Sequence, residues 1–176
     1  MFWIQLAGCI LGGIVGLAIL VIIVGRFLPE KYAARAEITF RRPPEDVWAA
    51  MSDYHKHPMM GSMMKRIEDL PAENGLPAWV EDMGSTQMAV TTVVSEPPLH
   101  VVRELADRVV PMIVRAEVHL QRLENGCKVT ATQETWIRRG TWHVPIFRII
   151  LTITKGARSS LVKYWRRIAK DLGEAG

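Results

Sequence analysis

The first charged side chain is Arg26, and before it the chain is almost uninterruptedly apolar. From Phe2 to Val24 the one strongly polar side chain is Gln5, placed near the end where water reaches it. At a rise of about 1.5 Å per residue, such a run crosses the ~30 Å hydrocarbon layer as a helix. A secretory signal peptide has instead a basic n-region and an apolar core of about 7–15 residues. This run has neither, and Ala34-Arg35-Ala36, which resembles a cleavage site, lies beyond Arg26 and Lys31. The expected organisation is an uncleaved transmembrane anchor over 1–25, a short linker over 26–32 and one domain over 33–176, a usual single-domain size. About eight residues separate Gly25 from the first predicted strand, which holds the domain within roughly 30 Å of the bilayer.

After the linker the period changes. Arg35–Phe40 alternates as a strand with one buried face does. Pro43-Pro44-Glu45-Asp46 then opens a short helix, with proline in its first turn and acids at the positive end of the dipole. Val47, Trp48 and Met51 give that helix an apolar stripe, and it ends near Asp53 or Tyr54. Strands are predicted near Lys65–Asp69, Ala78–Asp82, Thr86–Ser95, Val101–Ala106, Ile113–Glu124 and Lys128–Trp136, with breaks at 71–77, 83–85, Pro97-Pro98 and the hairpin signal Asn125-Gly126. Beyond Pro145 the period becomes helical. Ile146, Ile150, Ile153, Ala157, Leu161, Tyr164, Ile168 and Leu172 form one stripe on a helix of more than twenty residues, with Lys163, Arg166, Arg167 and Lys170 on its solvated face. The class is α+β: a curved antiparallel sheet wrapped around a long C-terminal helix, preceded by one transmembrane helix.

Charge adds orientation. Arg26, Lys31, Arg35, Arg41 and Arg42 all follow the apolar run, which directs the domain to the cytoplasmic side. Cys9 and Cys127 form no plausible pair, in keeping with a reducing compartment. The net charge of +4 lies wholly after the anchor, compatible with an anionic leaflet and too diffuse for nucleic acid. Trp3 at one end, and Arg26, Phe27 and Tyr32 at the other, suit the membrane interface. Gly8, Gly12 and Gly16 share a helix face through which two copies could associate, although glycine is common in membrane helices in any case. The stretch from Trp136 through Trp142 to Arg148 interleaves bulky apolar and basic residues, as an interfacial surface does. The plainer reading, a strand end and helix start packing into the core, takes precedence.

Several segments together resemble one family: Ile38-Thr39-Phe40, Pro43-Pro44-Glu45-Asp46-Val47-Trp48 leading to Ser52-Asp53 and His57-Pro58, Glu96-Pro97-Pro98-Leu99, the run from Gly126 to Glu134, and the long final helix. The chain from Ala33 to Leu172 resembles the SRPBCC superfamily, especially polyketide cyclase/dehydrase-like members with the START-type helix-grip fold. The resemblance implies a deep, largely apolar cavity between sheet and long helix. Members include lipid carriers, receptors and cyclases, so it does not specify a reaction.

Methionine is enriched after the anchor, at Met51, Met59, Met60, Met63, Met64, Met83, Met88 and Met112. The flexible thioether suits irregular apolar ligands and equally fills gaps in a core. The expected cavity set is Trp48, Met51, Met60, Met63, Met88, Met112, Ile150, Ile153, Ala157 and Leu161. His55 and His57 read as surface residues, and without ligands at metal spacing no metal is expected. His119 fits either face of its strand. Glu81, Glu104, Glu117 and Glu134 also lie on strands; one turned into a cavity would suit acid–base work, but most are read as facing solvent. No nucleophile arrangement or phosphate-cradling glycine loop appears, so no cofactor or catalytic residue is assigned. The leading expectation is a membrane-anchored binding or carrier domain for an apolar, lipid-like molecule. The alternatives are a cyclase or dehydratase-type enzyme on an apolar substrate and a non-enzymatic protein-interaction module.

Overall fold

The computed structural model describes residues 2–62, 64–108, 110–138, 140 and 144–174, with side chains from Ile10 onward. Helix α1 runs Phe2–Phe27. Among the described residues it is the one helix long and apolar enough to cross a membrane, over Ile10–Phe27. Its apolar side chains from Ile10 to Leu20 are exposed, whereas near its end Gly25 is buried and Val21 and Ile22 are half-buried. Gly12 and Gly16 face open space. The surroundings of Trp3 and Gly8 lie outside the described residues.

Strand β1 (Lys31–Phe40) follows after only Leu28, Pro29 and Glu30, a tighter connection than expected, and its burial alternates residue by residue. Helix α2 (Pro44–Ser52) carries proline at its start and Glu45 and Asp46 in its first turn, and buries Val47 and Met51. A turn of 3-10 helix, Tyr54–Lys56, comes next. Strands β2 (Arg66–Glu73), β3 (Leu76–Asp82), β4 (Gln87–Glu96), β5 (His100–Asp107), β6 (Met112–Leu123) and β7 (Gly126–Ile137) complete one curved antiparallel sheet in the order β1-β7-β6-β5-β4-β3-β2.

The predicted break at Pro71 is absent: β2 continues through it with an irregularity between Leu70 and Glu73. It can do so because β2 is an edge strand, where proline's missing N–H costs no ladder bond. The chain reverses instead at Asn74-Gly75, both at positive φ, the backbone that a tight hairpin demands. At the β6–β7 hairpin, Gly126 has φ +134, and a Cβ there would lie 1.9 Å from the Phe40 carbonyl oxygen. Only glycine lets the end of β1 come that close.

The long C-terminal helix is two helices, α3 (Val144–Thr154) and α4 (Gly156–Asp171), parted at Lys155 in the left-handed conformation, φ 48 and ψ 42. The Thr152 and Thr154 hydroxyls each donate to the carbonyl four residues back, at 2.7 Å, a bond that tends to bend a helix. Gly156 follows directly, and a Cβ there would lie 2.8 Å from the end of the Leu151 side chain. Past the break, α4 lies against β1, β7 and α2, and α3 turns away to pack against α1. The core forms under α4, where Phe40, Val47, Leu120, Val129, Trp165 and Ile168 are buried together and the Phe40 and Trp165 rings meet edge to face at 6.2 Å.

Candidate ligand cavity

Between the concave face of the sheet and α4 lies a cavity of about 370 Å³. Strand alternation selects its wall: Met88 and Val90 from β4, Val101, Arg103 and Leu105 from β5, and Met112, Val114, Ala116 and Val118 from β6 all point inward at every second position. Leu151 of α3 and Gly156, Ala157, Ser160, Leu161, Tyr164 and Trp165 of α4 close the other side. Met51, Met59, Met64 and Met83 add flexible apolar lining from α2 and the loops.

Polar groups gather in part of this lining. Glu81, 5% exposed, accepts a hydrogen bond from Trp79 Nε1 at 3.1 Å. Arg103 donates through both terminal nitrogens to the Met51 carbonyl oxygen at 3.3 Å, at the end of α2, and lies 5.2 Å from the centre of the Trp79 ring. The Tyr54 ring stacks on Trp79 at 4.2 Å, and Tyr54 in turn donates to Asp69. His57 packs its ring 5.4 Å from that of Tyr164. Burial, helped by the Arg103 charge, pushes His57 down to about 4, so it is neutral at pH 7. Burial also pushes Glu81 up, against the opposing pull of the Trp79 N–H and Arg103, and raises Tyr164. Among the described residues, Arg103 Nε and Trp165 Nε1 are buried donors here without a protein partner.

Of the residues expected at the cavity, Met51, Met88, Met112, Ala157 and Leu161 line it. Trp48 does not: it packs from α2 against the core beneath α4. Met60 is exposed in the loop after α2, and Met63 lies outside the described residues. Ile150 and Ile153 are corrections too, standing 50% and 76% exposed. The break at Lys155 removes the continuous stripe, so α3 offers Leu151 to the cavity in their place.

His57 is another correction, because it is a half-buried cavity residue and not a surface one. Nothing in its local pattern shows this. Glu81 and Arg103 did carry a signal: Glu81 is two residues from Trp79, and Arg103 lies between Val101 and Leu105 at strand spacing. Glu104 and Glu134 instead pair with Arg115 and Lys31, at 2.9 and 2.7 Å.

His119 faces outward. Its ring stacks on His100 at 4.1 Å, and Nε2 of each lies 3.0 Å from Glu117 Oε1. These donors are of the right types for a transition metal and lie within 4.8 Å of one another. The same contacts satisfy all three groups as hydrogen bonds, so they need no ion. Of the expected interfacial residues, Arg26 and Phe27 are exposed, Tyr32 bonds through its hydroxyl to the Arg148 carbonyl oxygen at 3.2 Å, and Trp142 lies outside the described residues.

Comparison of the sequence with models of known families, and with curated proteins, finds no match. Comparison of the fold with solved structures does. The di-domain ARO/CYC StfQ of the steffimycin biosynthetic pathway superposes with a TM-score of 0.59 at 13% identity, over 81% of this chain and 50% of that one. DynU16, from the dynemicin biosynthetic locus, gives 0.55 at 14%, over 80% and 47%. A Thalictrum flavum norcoclaurine synthase point mutant, in complex with a transition-state analogue, gives 0.59 at 9%, over 82% and 95%. The chain thus spans about half the length of the first two, and at such identities the likeness speaks for the fold alone. The fold is a helix-grip fold, a curved antiparallel sheet closed by a C-terminal helix, as the sequence resemblance implied.

Proposed function

We propose that this protein binds an apolar, lipid-like small molecule in its cavity and carries or presents it beside a membrane to which α1 tethers it, with the cavity domain on the cytoplasmic side. The observation that carries the reading is the lining: methionine and aliphatic side chains around most of about 370 Å³, with Arg103, Glu81, His57 and Tyr164 as its charged and titratable groups. Such a wall suits a ligand with a long apolar body and one polar head. Arg103, whose side chain lines the cavity, offers that head a charge-assisted hydrogen bond. The basic flank of α1 supports the orientation.

Mass spectrometry of material extracted from the purified full chain tests the proposal, together with thermal melts in the presence of lipid classes. Co-purifying amphiphile, and its loss in Arg103→Met, is the expected result. No ligand and no stabilisation by any class would overturn it.

A second reading, an enzyme of cyclase or dehydratase type, draws on a different observation. A neutral imidazole and a carboxyl group with a raised pKa line one cavity, the pairing that general acid–base chemistry uses. Glu81→Gln separates the two: a carrier keeps its ligand and its function, whereas an enzyme keeps the ligand and loses turnover.

A further inference from the structure

Helix α3 shows solvent an apolar face, with Ile150 50% and Ile153 76% exposed. Scattered exposed isoleucines are ordinary, but three features set this pair apart. The first is position. α3 packs against the end of α1, so closely that a Cβ on Gly25 would lie 2.3 Å from the Pro145 carbonyl oxygen. Gly25 belongs to the stretch long and apolar enough to cross a bilayer. With α1 spanning, α3 shares the depth of its final turns.

The second is charge. From Trp136 to Lys170 the sequence holds nine lysines and arginines and no aspartate or glutamate. Lys155, Arg158, Lys163, Arg166 and Lys170 among them are exposed, beginning at the residue that separates α3 from α4. The third is where α3 puts its own charge. Arg148 is 2% exposed, donates to the Ile137 and Leu28 carbonyl oxygens at 2.7 and 3.4 Å, and lies 3.4 Å from Glu30. The outer face is left uncharged. An amphipathic helix that turns its charge inward, adjoins a membrane span and leads into exposed basic residues has the design of an interfacial helix on an anionic leaflet.

We infer that α3 is embedded in the membrane interface, its Ile150 and Ile153 face among the acyl chains beside the last turns of α1, and the exposed basic residues that follow it at anionic headgroups. The inference rests on the proposed spanning role of α1. It has a consequence for the cavity, because Leu151, Gly156 and Ala157, which line it, sit at the α3–α4 joint behind that face. The wall nearest the bilayer then carries the small residues Gly156 and Ala157, a route for a ligand to pass between lipid and cavity.

The test uses the full chain with Cys9→Ala, reconstituted into vesicles of phosphatidylcholine and phosphatidylglycerol, with buried Cys127 left in place. An environment-sensitive NBD label is attached at Ile150→Cys or Ile153→Cys, and at Ala72→Cys on the exposed edge strand as the aqueous reference. Labels at 150 and 153 are expected to shift to the blue, to be quenched severalfold by doxyl-labelled lipid and to resist aqueous iodide. Emission like that of the reference, with iodide quenching, overturns the inference. Alkaline carbonate extraction of the same vesicles reports on α1 separately. If the chain resists extraction with residue 153 in water, the interfacial helix falls and the tether stands. If the chain is extracted, α1 does not span, and the interfacial helix falls together with the tether on which it rests.

Discussion

His57 and Glu81 meet the same apolar surroundings with opposite consequences for stability. The native His57 titrates near 4 against 6.5 for an unperturbed side chain, so the unfolded chain takes up the proton first as the medium acidifies. Its contribution is complete above about pH 6.5 and drains away as pH falls toward 4, by at most about 2 kcal/mol at pH 5. Urea denaturation at pH 7 and pH 5 should show that loss, and His57→Phe should abolish it. For Glu81 the sign reverses. Its native pKa is raised, so its charged form is disfavoured by folding and costs stability as pH rises above the ordinary carboxylate range. Glu81→Gln keeps an acceptor for Trp79 Nε1 while removing the charge. Thermal melts should place its midpoint above the parent's at pH 8, with no gain at pH 4.

Among the elements, the break between α3 and α4 decides most. The apolar spacing of three and four runs from Ile146 to Leu172 without a fault, because periodicity senses which residues are apolar and not the backbone angle of one lysine between them. A non-glycine residue in the left-handed region is strained by its own Cβ. Lys155→Gly should therefore stabilise the protein, by about 0.5–1 kcal/mol, measured by chemical denaturation. If the two helices instead fused into one in solution, glycine at that position would destabilise by a similar amount, since it is a poor helix former.

On the scale of the whole molecule, the cavity exists because the sheet curves over α4 and the side chains between them do not fill the space. Ala116 lines it from the middle of β6, where a larger side chain would project into the void. Ala116→Trp is expected to cut ligand affinity by at least about tenfold, a loss of about 1.4 kcal/mol of binding, without a matching loss of fold. Isothermal titration with a co-purified amphiphile, alongside circular dichroism, measures both. Unchanged affinity in the folded variant would place the ligand elsewhere.

The elements were legible in the sequence because each is written in local chemistry. The uncharged run makes α1, Pro44 with Glu45 and Asp46 starts α2, and alternation with turn residues lays out the strands. Enrichment drew attention to the methionines, but of the six that line the cavity only Met51, Met88 and Met112 were in the expected set, and the inward turn of Glu81 and Arg103 was latent in their spacing from apolar neighbours. What only the tertiary structure decided depends on groups far apart in the chain. The burial of His57 arises from packing against Tyr164, more than a hundred residues away, and Arg148 is drawn inward by carbonyls of Leu28 and Ile137. Ile150 and Ile153 are turned outward by one left-handed residue. A local pattern reports which residues avoid water, but the surface they meet when they do so is chosen by the fold.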